Sequence, residues 1–218
     1  MFVVTSRAAI VVAPVLLVLP GWRQFGWKGV MTTCIAGPVV AAGLWATSSY
    51  LRASFFQSVQ QTQAYSTTTA DNSIGEHIEF LRKSLSFVRD APFIGHGTGS
   101  IADLFRGSAS GQTGAASVAT VNPHSQIFAV AIQLGLAGTA VLLAMWMAHY
   151  LLFRTASWVA WVGTVVVVEN VLSSLVHTHL FDFFHGWLYV FGVGVAGGMV
   201  LRQSALKDTE AKQQPQQR

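Results

Sequence analysis

Long runs of apolar residues dominate the chain and are separated by polar connectors. Five such runs occupy residues 3–19, 29–46, 125–153, 156–176 and 183–201. A helix needs roughly 20 apolar residues to cross the hydrocarbon core of a bilayer, and these runs approach or exceed that length. The pattern predicts an all-α polytopic membrane protein, a helical bundle with about five spans. Two spans are expected in residues 1–47 and three in residues 124–202.

One long polar stretch, residues 48–123, separates the second run from the third. Its first part, residues 57–72, is rich in Gln, Ser and Thr and is expected to be mobile. The second part has apolar residues three or four apart, which predicts an amphipathic helix that ends before Pro92 and lies flat against the membrane face. These apolar positions are Ile74, Ile78, Leu81, Leu85 and Val88. A linker of Gly, Ala and Ser, residues 107–120, then leads to Asn122-Pro123-His124.

Basic residues set the expected orientation of the bundle. Arg23, Lys28 and Arg154 lie in the short connectors, and the polar tail of residues 203–218 is also basic. The positive-inside rule places these segments in the cytoplasm. The long polar stretch and the short turn at residues 177–182 then lie outside, and the tail is expected to be disordered.

Composition agrees with a membrane protein and excludes several other classes. Hydrophobic residues make up 52% of the chain and charged residues only 10%, whereas a soluble domain carries about 25% charge. The formal charge of +4 comes from scattered basic residues without a basic stripe, so nucleic acid is not an expected partner. The single cysteine, Cys34, excludes a disulfide framework. The first run is interpreted as a span and not a signal peptide, because Pro20-Gly21-Trp22-Arg23 offers no small-x-small cleavage site.

His124 is the leading candidate for a catalytic residue. It follows a proline and opens the third apolar run at the predicted outer interface. The positive end of a helix dipole opposes a second positive charge there, so we expect a neutral imidazole that can act as a base. The alternative is an interfacial histidine that only caps the helix.

Three stretches of the sequence resemble the signature of the bacterial O-antigen ligase and polymerase superfamily. His124-Ser125, followed after nine residues by Gly135-Leu136-Ala137-Gly138, resembles its histidine motif. Thr5-Ser6-Arg7-Ala8 is similar to its Ser-Arg motif at the outer end of a span. Residues 73–80 and the glycine turn at residues 91–99 resemble its loop helix and the turn that follows.

The resemblance implies glycan transfer on the outer face of the bacterial inner membrane. The donor would be a glycan on an undecaprenyl-diphosphate carrier, and the acceptor a sugar hydroxyl of lipid A-core or another glycan. His124 would act as the base, arginines would bind the diphosphate, and no metal or other cofactor is expected. Arg7 matches the first family arginine. The second aligns with His77, which lacks the forked donors of a guanidinium, so either binding is weakened or a neighbour such as Arg82 has taken over.

Other polar residues at span boundaries admit more than one interpretation. His177, His179, Asp182 and His185 have the side chains of metal ligands, but the implied chemistry needs no metal. We interpret them as an interfacial belt in which Asp182 orients a catalytic group or the acceptor. Arg7 could instead be an interfacial arginine whose guanidinium only reaches for water.

Members of this superfamily typically have about a dozen spans, so the resemblance covers a C-terminal portion only. We therefore expect a front half elsewhere, as part of a longer protein or as a separate chain that is a partner of this one, in a shared environment of membrane lipid. Two other functions stay open. One is an O-antigen or exopolysaccharide polymerase with a growing glycan as acceptor, and the other is a non-enzymatic membrane component or inactive remnant.

Overall fold

The computed structural model describes the backbone of residues 7–53, 55–56, 59–60 and 73–213, and leaves out the side chains at 7–11, 13, 73–74 and 211–213. Throughout these ranges the regular secondary structure is helical. The main α-helices are α1 (Arg7–Phe25), α2 (Trp27–Thr47), α3 (Ser73–Asp90), α4 (Ile101–Ala109), α5 (Gln126–Leu152), α6 (Trp158–Ser173) and α7 (Phe183–Gln213). The predicted mobility of residues 57–72 concerns a segment that lies mostly outside the described residues.

Three helices are long and apolar enough to cross a membrane: Trp27–Thr47, Gln126–Leu152 and Phe183–Glu210. The helical membrane bundle predicted from the sequence is thereby confirmed. The other two predicted runs form α1, which has 19 residues and contains Pro14 and Pro20, and α6, which is apolar but has only 16 residues.

Helices α1 and α2 form a tight hairpin that is attached to α6. The hairpin turns at Gly26, whose φ of 56° favours glycine. The guanidinium of Arg23 donates to the Ser157 carbonyl oxygen at 3.3 Å and lies 4.9 Å from the centre of the Trp161 ring. The C-terminal end of α1 therefore meets the N-terminal end of α6. Since the two helices pack along each other, the N-terminal end of α1 points toward the C-terminal end of α6.

Helix α5 is broken at Gly135, which has φ 62° and ψ −157°. The break is needed to explain two contacts with α6. Trp146 donates to the Asn170 side chain, and the Gln126 amide donates to the Ser174 carbonyl oxygen at 2.9 Å. Their partners on α6 are about one turn apart, whereas the two α5 residues would be about 30 Å apart in a straight helix. The first two turns of α5 therefore fold back toward the end of α6.

The glycine turn at residues 91–99 fills this break. The amides of His96 and Gly97 donate to the carbonyl oxygens of Ile132 and Gln133, at 2.8 and 2.9 Å. In the opposite direction, the amides at 136 and 137 donate to the carbonyl oxygens at 92 and 93, at 2.7 and 3.2 Å. Four backbone groups next to the break are thus paired with the turn, which reduces the cost of the break in a bilayer or a buried site.

Two hydrophobic clusters share the first part of α5, which contributes Ala129 and Ile132 to one and Val130 to the other. The loop cluster joins α3 and α4 to the first part of α5 and consists of Phe80, Phe87, Ile101, Phe105, Ala129 and Ile132. The span cluster joins α5, α6 and α7 and includes Leu142, Trp146, Phe153, Ala160, Val167, Tyr189, Val193 and Ala196. The described part of the polar stretch that contains α3 and α4 is therefore a folded unit attached to the bundle.

Three sequence expectations need correction. The amphipathic helix α3 forms and ends before Pro92, but Phe80 and Phe87 are its buried apolar residues, while Leu81 is 52% exposed. The predicted linker of residues 107–120 begins inside α4, and a 3₁₀ helix forms at Gly114–Ser117. Helix α7 continues to Gln213 where disorder was expected. Aromatic bulk decides the first case, because two phenylalanines outweigh the leucines in the contacts that α3 makes.

Candidate active site at the histidine end

His124 lies in a strained segment just before α5. Its φ of 55° is unusual for a residue other than glycine and is maintained by local hydrogen bonds. The Asn122 side-chain oxygen accepts the His124 amide at 2.8 Å. Thr120 in turn accepts the Asn122 amide at 3.0 Å, and the Gln126 amide is bonded to α6. The imidazole is thus fixed at the end of the bundle where α5 begins and α6 ends, hereafter the histidine end.

Three rings from different parts of the fold surround the His124 ring. The His77 ring of α3 is 4.5 Å away between centroids and meets it at 74°. The Phe80 ring lies nearly parallel to it at 5.9 Å and 15°. The His177 ring, from the connection between α6 and α7, is 5.4 Å away. Residues 77 and 80 are one turn apart on α3, so one face of that helix supplies two of these contacts.

A series of further rings leads from His177 to Asp182. The His177 and His179 rings are 5.3 Å apart, and the His179 and His185 rings are stacked at 4.3 Å. His185 Nδ1 lies 2.8 Å from the Asp182 carboxylate. Asp182 is therefore linked to His124 through three histidines. The sequence grouped Asp182 with these histidines, but their contact with His124 depends on how separate elements pack.

The electrostatic surroundings keep the buried rings uncharged. Burial, and then the neighbouring His77 and His177, lower the pKa of His124 to about 4. Burial likewise lowers the pKa of His179 to about 4. Hydrogen bonds from the His185 amide and ring hold the pKa of Asp182 below its usual range. A neutral His124 was expected from a helix dipole, whereas the structure attributes it mainly to burial.

The predicted substrate-binding residues are only partly brought together. His77 contacts His124 directly. Arg82 lies on α3 with 79% of its side chain exposed and pairs with Glu79 at 3.4 Å. Arg7 is the first residue of α1, and the antiparallel packing of α1 and α6 directs that end of α1 toward the histidine end. Its side chain, and Thr5-Ser6, lie outside the described residues.

Metal binding at this end has no geometric support within the described residues. No group of three His, Cys, Asp or Glu side chains there is arranged to hold an ion. The closest histidine pair, His179 and His185, stacks its rings at 16°. Stacked rings direct their nitrogens sideways, not toward a common point between them.

The fold and this site define a helical membrane protein with an uncharged histidine fixed at one end of its bundle. Residues 1–143 of the 218 match the family model described as O-antigen ligase. The chain therefore belongs to the O-antigen ligase family. Comparison with curated proteins gives no match. The matched part ends within α5, so it includes His77 and His124 but not His177, His179 or Asp182.

Proposed function

We propose that this chain is a glycosyltransferase of the O-antigen ligase type. It moves a glycan from an undecaprenyl-diphosphate carrier to an acceptor sugar hydroxyl, such as one of lipid A-core, on the periplasmic face of the bacterial inner membrane. The observation that carries this proposal is the half-buried, uncharged imidazole of His124, which is fixed in a strained backbone within the part that matches the family.

His124 has the properties of a general base in this reaction. An imidazole with a pKa of about 4 is unprotonated at neutral pH, so its nitrogen can accept the proton of the attacking hydroxyl. The hydroxyl oxygen then attacks the anomeric carbon, and the carbon–oxygen bond to the diphosphate breaks. A diphosphate is already a good leaving group, so the main further requirement is neutralisation of its charge.

Arg7 and His77 are the proposed diphosphate-binding residues. A guanidinium binds phosphate oxygens through two parallel hydrogen bonds, which suits Arg7 at the end of α1. His77 lies beside the base and provides a weaker donor. Arg82 is a possible contributor after rotation away from Glu79, since its side chain is mostly exposed. Asp182 acts at longer range through the histidines between it and His124.

The test uses cells that lack their own ligase but make the carrier-linked glycan and lipid A-core. The chain is expressed with the segment, if any, that its upstream reading frame encodes, and glycan attached to lipid A-core is measured on gels. His124→Asn is the informative variant, because asparagine tolerates positive φ but is no base. We expect a loss of about 10²-fold or more in transfer at unchanged protein level.

His149→Gln is the matched control, because His149 pairs with Tyr189 at 2.7 Å in the span helices, away from the histidine end. Normal transfer by His124→Asn would refute the enzymatic proposal and favour a non-enzymatic membrane component. Arg7→Ala is expected to abolish transfer as well. His77→Arg is expected to increase transfer if the histidine weakens diphosphate binding, and no increase would leave that role to a neighbouring arginine.

Orientation is tested separately by cysteine labelling. Cys34 is exposed on α2 and is first replaced by serine. Single cysteines at positions 7 and 124 should then react with a membrane-impermeant reagent from the same, periplasmic side. Reaction from opposite sides would exclude a common site for the carrier diphosphate and the base. A polymerase would give the same labelling, and differs in extending a glycan instead of modifying lipid A-core.

A further inference from the structure

We propose that His177 is a proton shuttle, which passes to water the proton that His124 removes from the acceptor hydroxyl. This inference rests on the proposed function and assigns a role to a residue outside the matched part of the chain. His177 acts through His124 and need not touch the acceptor.

The half-buried His124 ring has two neighbouring rings that can accept its proton. Phe80 covers one face of its ring nearly parallel at 5.9 Å and offers no proton acceptor. Pro123 is buried on the preceding side, and the His124 amide is bonded to Asn122. The rings with nitrogens that contact His124 are those of His77 and His177. His77 is half-buried beside the proposed diphosphate position, whereas His177 is exposed, so the route through His177 reaches water in one step.

His177 is supported by residues that limit its position. Its ring contacts the buried His179, which stacks on His185 at 4.3 Å. His185 is bonded to Asp182 both through its ring at 2.8 Å and through its backbone amide at 3.0 Å. The 3₁₀ helix at His179–Phe181 is tied to α5, because the Gln126 side chain accepts the Leu180 amide at 3.0 Å. The connection that contains His177 is therefore attached to the N-terminal end of α5, next to His124.

The charged groups around His177 and its neighbouring histidines favour transfer of the proton from His124 toward His177. His77 faces the base from α3, Glu169 acts on His185 from α6, and Asp182 faces His179 from the start of α7. The two carboxylates favour a proton on the histidines beyond His177, and His77 opposes the return of a proton to the His124 ring. The low pKa of His124 supports the same direction, since its protonated form readily gives up the proton.

Atoms and charges balance in the proposed sequence. The acceptor O–H bond breaks, its oxygen forms the new bond to the anomeric carbon, and the diphosphate leaves with the electron pair of the old bond. The proton resides on a His124 nitrogen, then on a His177 nitrogen, and then on water. Each ring returns to its neutral form, so the base is ready for the next acceptor.

The test compares two variants of His177 in the transfer assay, with purified carrier-linked glycan and lipid A-core in detergent micelles. His177→Phe keeps a ring but removes the nitrogens, and His177→Ala leaves space. Both should lower kcat about tenfold, as loss of a proton-transfer group does, while KM stays within about twofold. Added imidazole should restore His177→Ala and leave His177→Phe unchanged. His149→Gln is again the control.

The outcomes separate the shuttle from the function it serves. If His124→Asn transfers normally, the proposed function fails and the shuttle with it. If His124→Asn is inactive but both His177 variants have normal kcat at low buffer concentration, the function stands and the shuttle is refuted. A loss in His177→Ala that imidazole does not restore also refutes it, because a structural role would give that result.

A second measurement does not depend on transfer. Protein labelled with ¹⁵N-histidine in micelles reports the exchange of the His124 ring proton with water. Exchange is expected to slow about tenfold in His177→Phe, because that variant removes the exposed acceptor beside the buried ring. Unchanged exchange would overturn the proposal even in a preparation without measurable transfer.

Discussion

The loop cluster and the span cluster are held together by different forces. The loop cluster contains Phe80, Phe87 and Phe105, whose rings meet edge to face at 5.7 and 5.2 Å. On the proposed topology this unit lies outside the bilayer, where it gains stability by removing aromatic surface from water. The span cluster gains nothing from that source in lipid and depends on close packing and on buried polar pairs such as Trp146 with Asn170.

The catalytic candidate lies just before the part of α5 that both clusters share. His124 touches the loop cluster through Phe80 and the connection of α6 to α7 through His177. The position of the His124 ring therefore depends on how the two clusters are connected. Gly135 is central to this connection, because the turn at residues 91–99 packs against its backbone. We therefore expect that a change at Gly135 can displace the base while α6 and α7 remain folded.

Gly135→Ala should have the largest effect, because it disrupts the packing of the turn at residues 91–99 against α5. A Cβ at this position would overlap the Phe93 backbone, and φ is positive. The strained backbone alone costs about 1–3 kcal/mol, and displacement of the turn adds to this cost. We expect loss of transfer and rapid proteolysis within residues 91–134 while α7 remains protected.

The matched control is Gly43→Ala, since nothing lies within 4 Å of a Cβ built there. This substitution in the interior of α2 should change stability by less than about 1 kcal/mol. Equal sensitivity of the two variants to protease would show that the turn does not depend on Gly135.

Phe105→Ala should have the second largest effect and act on the loop cluster alone. Phe105 is completely buried, and removal of such a ring costs about 3–5 kcal/mol. Thermal unfolding in detergent, followed by proteolysis of the loop, measures the loss. Phe93→Ala is the control because its ring is 73% exposed. A similar loss in both variants would contradict a packed cluster.

The pH dependence of transfer tests the site between the clusters. Because the folded pKa of His124 is about 4, the base is active above that pH, and the acid limb of the rate should lie near pH 4 instead of 6.5. The unfolded chain binds more protons than the folded one between these values. Stability should therefore decrease as the pH falls through this window, to which His179 also contributes.

An acid limb centred at 6.5 would show that His124 is as accessible as a free histidine. The His77→Phe variant provides a second test, because it removes one of the two neighbouring histidines that lower the pKa of His124. Its acid limb should move upward from 4. A buried ring without that neighbour still remains below the ordinary value, since burial is the larger cause.

Asn170→Leu should have a smaller effect and act on the span cluster alone. The Asn170 side chain is buried and accepts the Trp146 indole N–H at 3.2 Å. Hydrogen bonds between spans contribute about 0.6 kcal/mol on average. The change should appear in thermal unfolding in micelles, with transfer almost intact. A loss larger than that of Phe105→Ala would reverse the proposed difference between the clusters.

Arg82→Ala should change stability least. Its exposed guanidinium pairs with the buried Glu79 at an i,i+3 spacing, and Lys83 remains beside the Glu79 carboxylate when Arg82 is removed. The loss should therefore be about 0.5 kcal/mol or less, as for other i,i+3 pairs. The denaturation midpoint should hardly move. A large drop in transfer at unchanged stability would instead show that Arg82 binds substrate, as the sequence allowed.

The sequence predicts the helical character of the fold well, because apolar length and spacing determine it. The run at residues 125–153 predicts a single span, and the break at Gly135 could not be seen there. The motif that contains Gly135 was recognised by resemblance, but its structural reason is the turn at residues 91–99, which lies some 40 positions earlier. A contact at that separation leaves no periodic signal in the chain.

The candidate site likewise depends on contacts between distant segments, which the sequence could not predict. His124 was found from its place before a span and from the family motif, and His77 from alignment alone. Their contact at 4.5 Å follows from the packing of α3 against α5. The stacking of His179 on His185 depends on the 3₁₀ helix at His179–Phe181. Neither could be derived from spacing, because each depends on how separate elements meet.

The hydrogen bonds that fill the break in α5 also impose an order on biosynthesis. The ribosome makes residues 92–97 before residues 132–137, so the four hydrogen bonds between these segments cannot form until the first part of α5 has been made. Until then these backbone groups need other partners, such as water. Completion of this junction therefore belongs to a late stage of assembly.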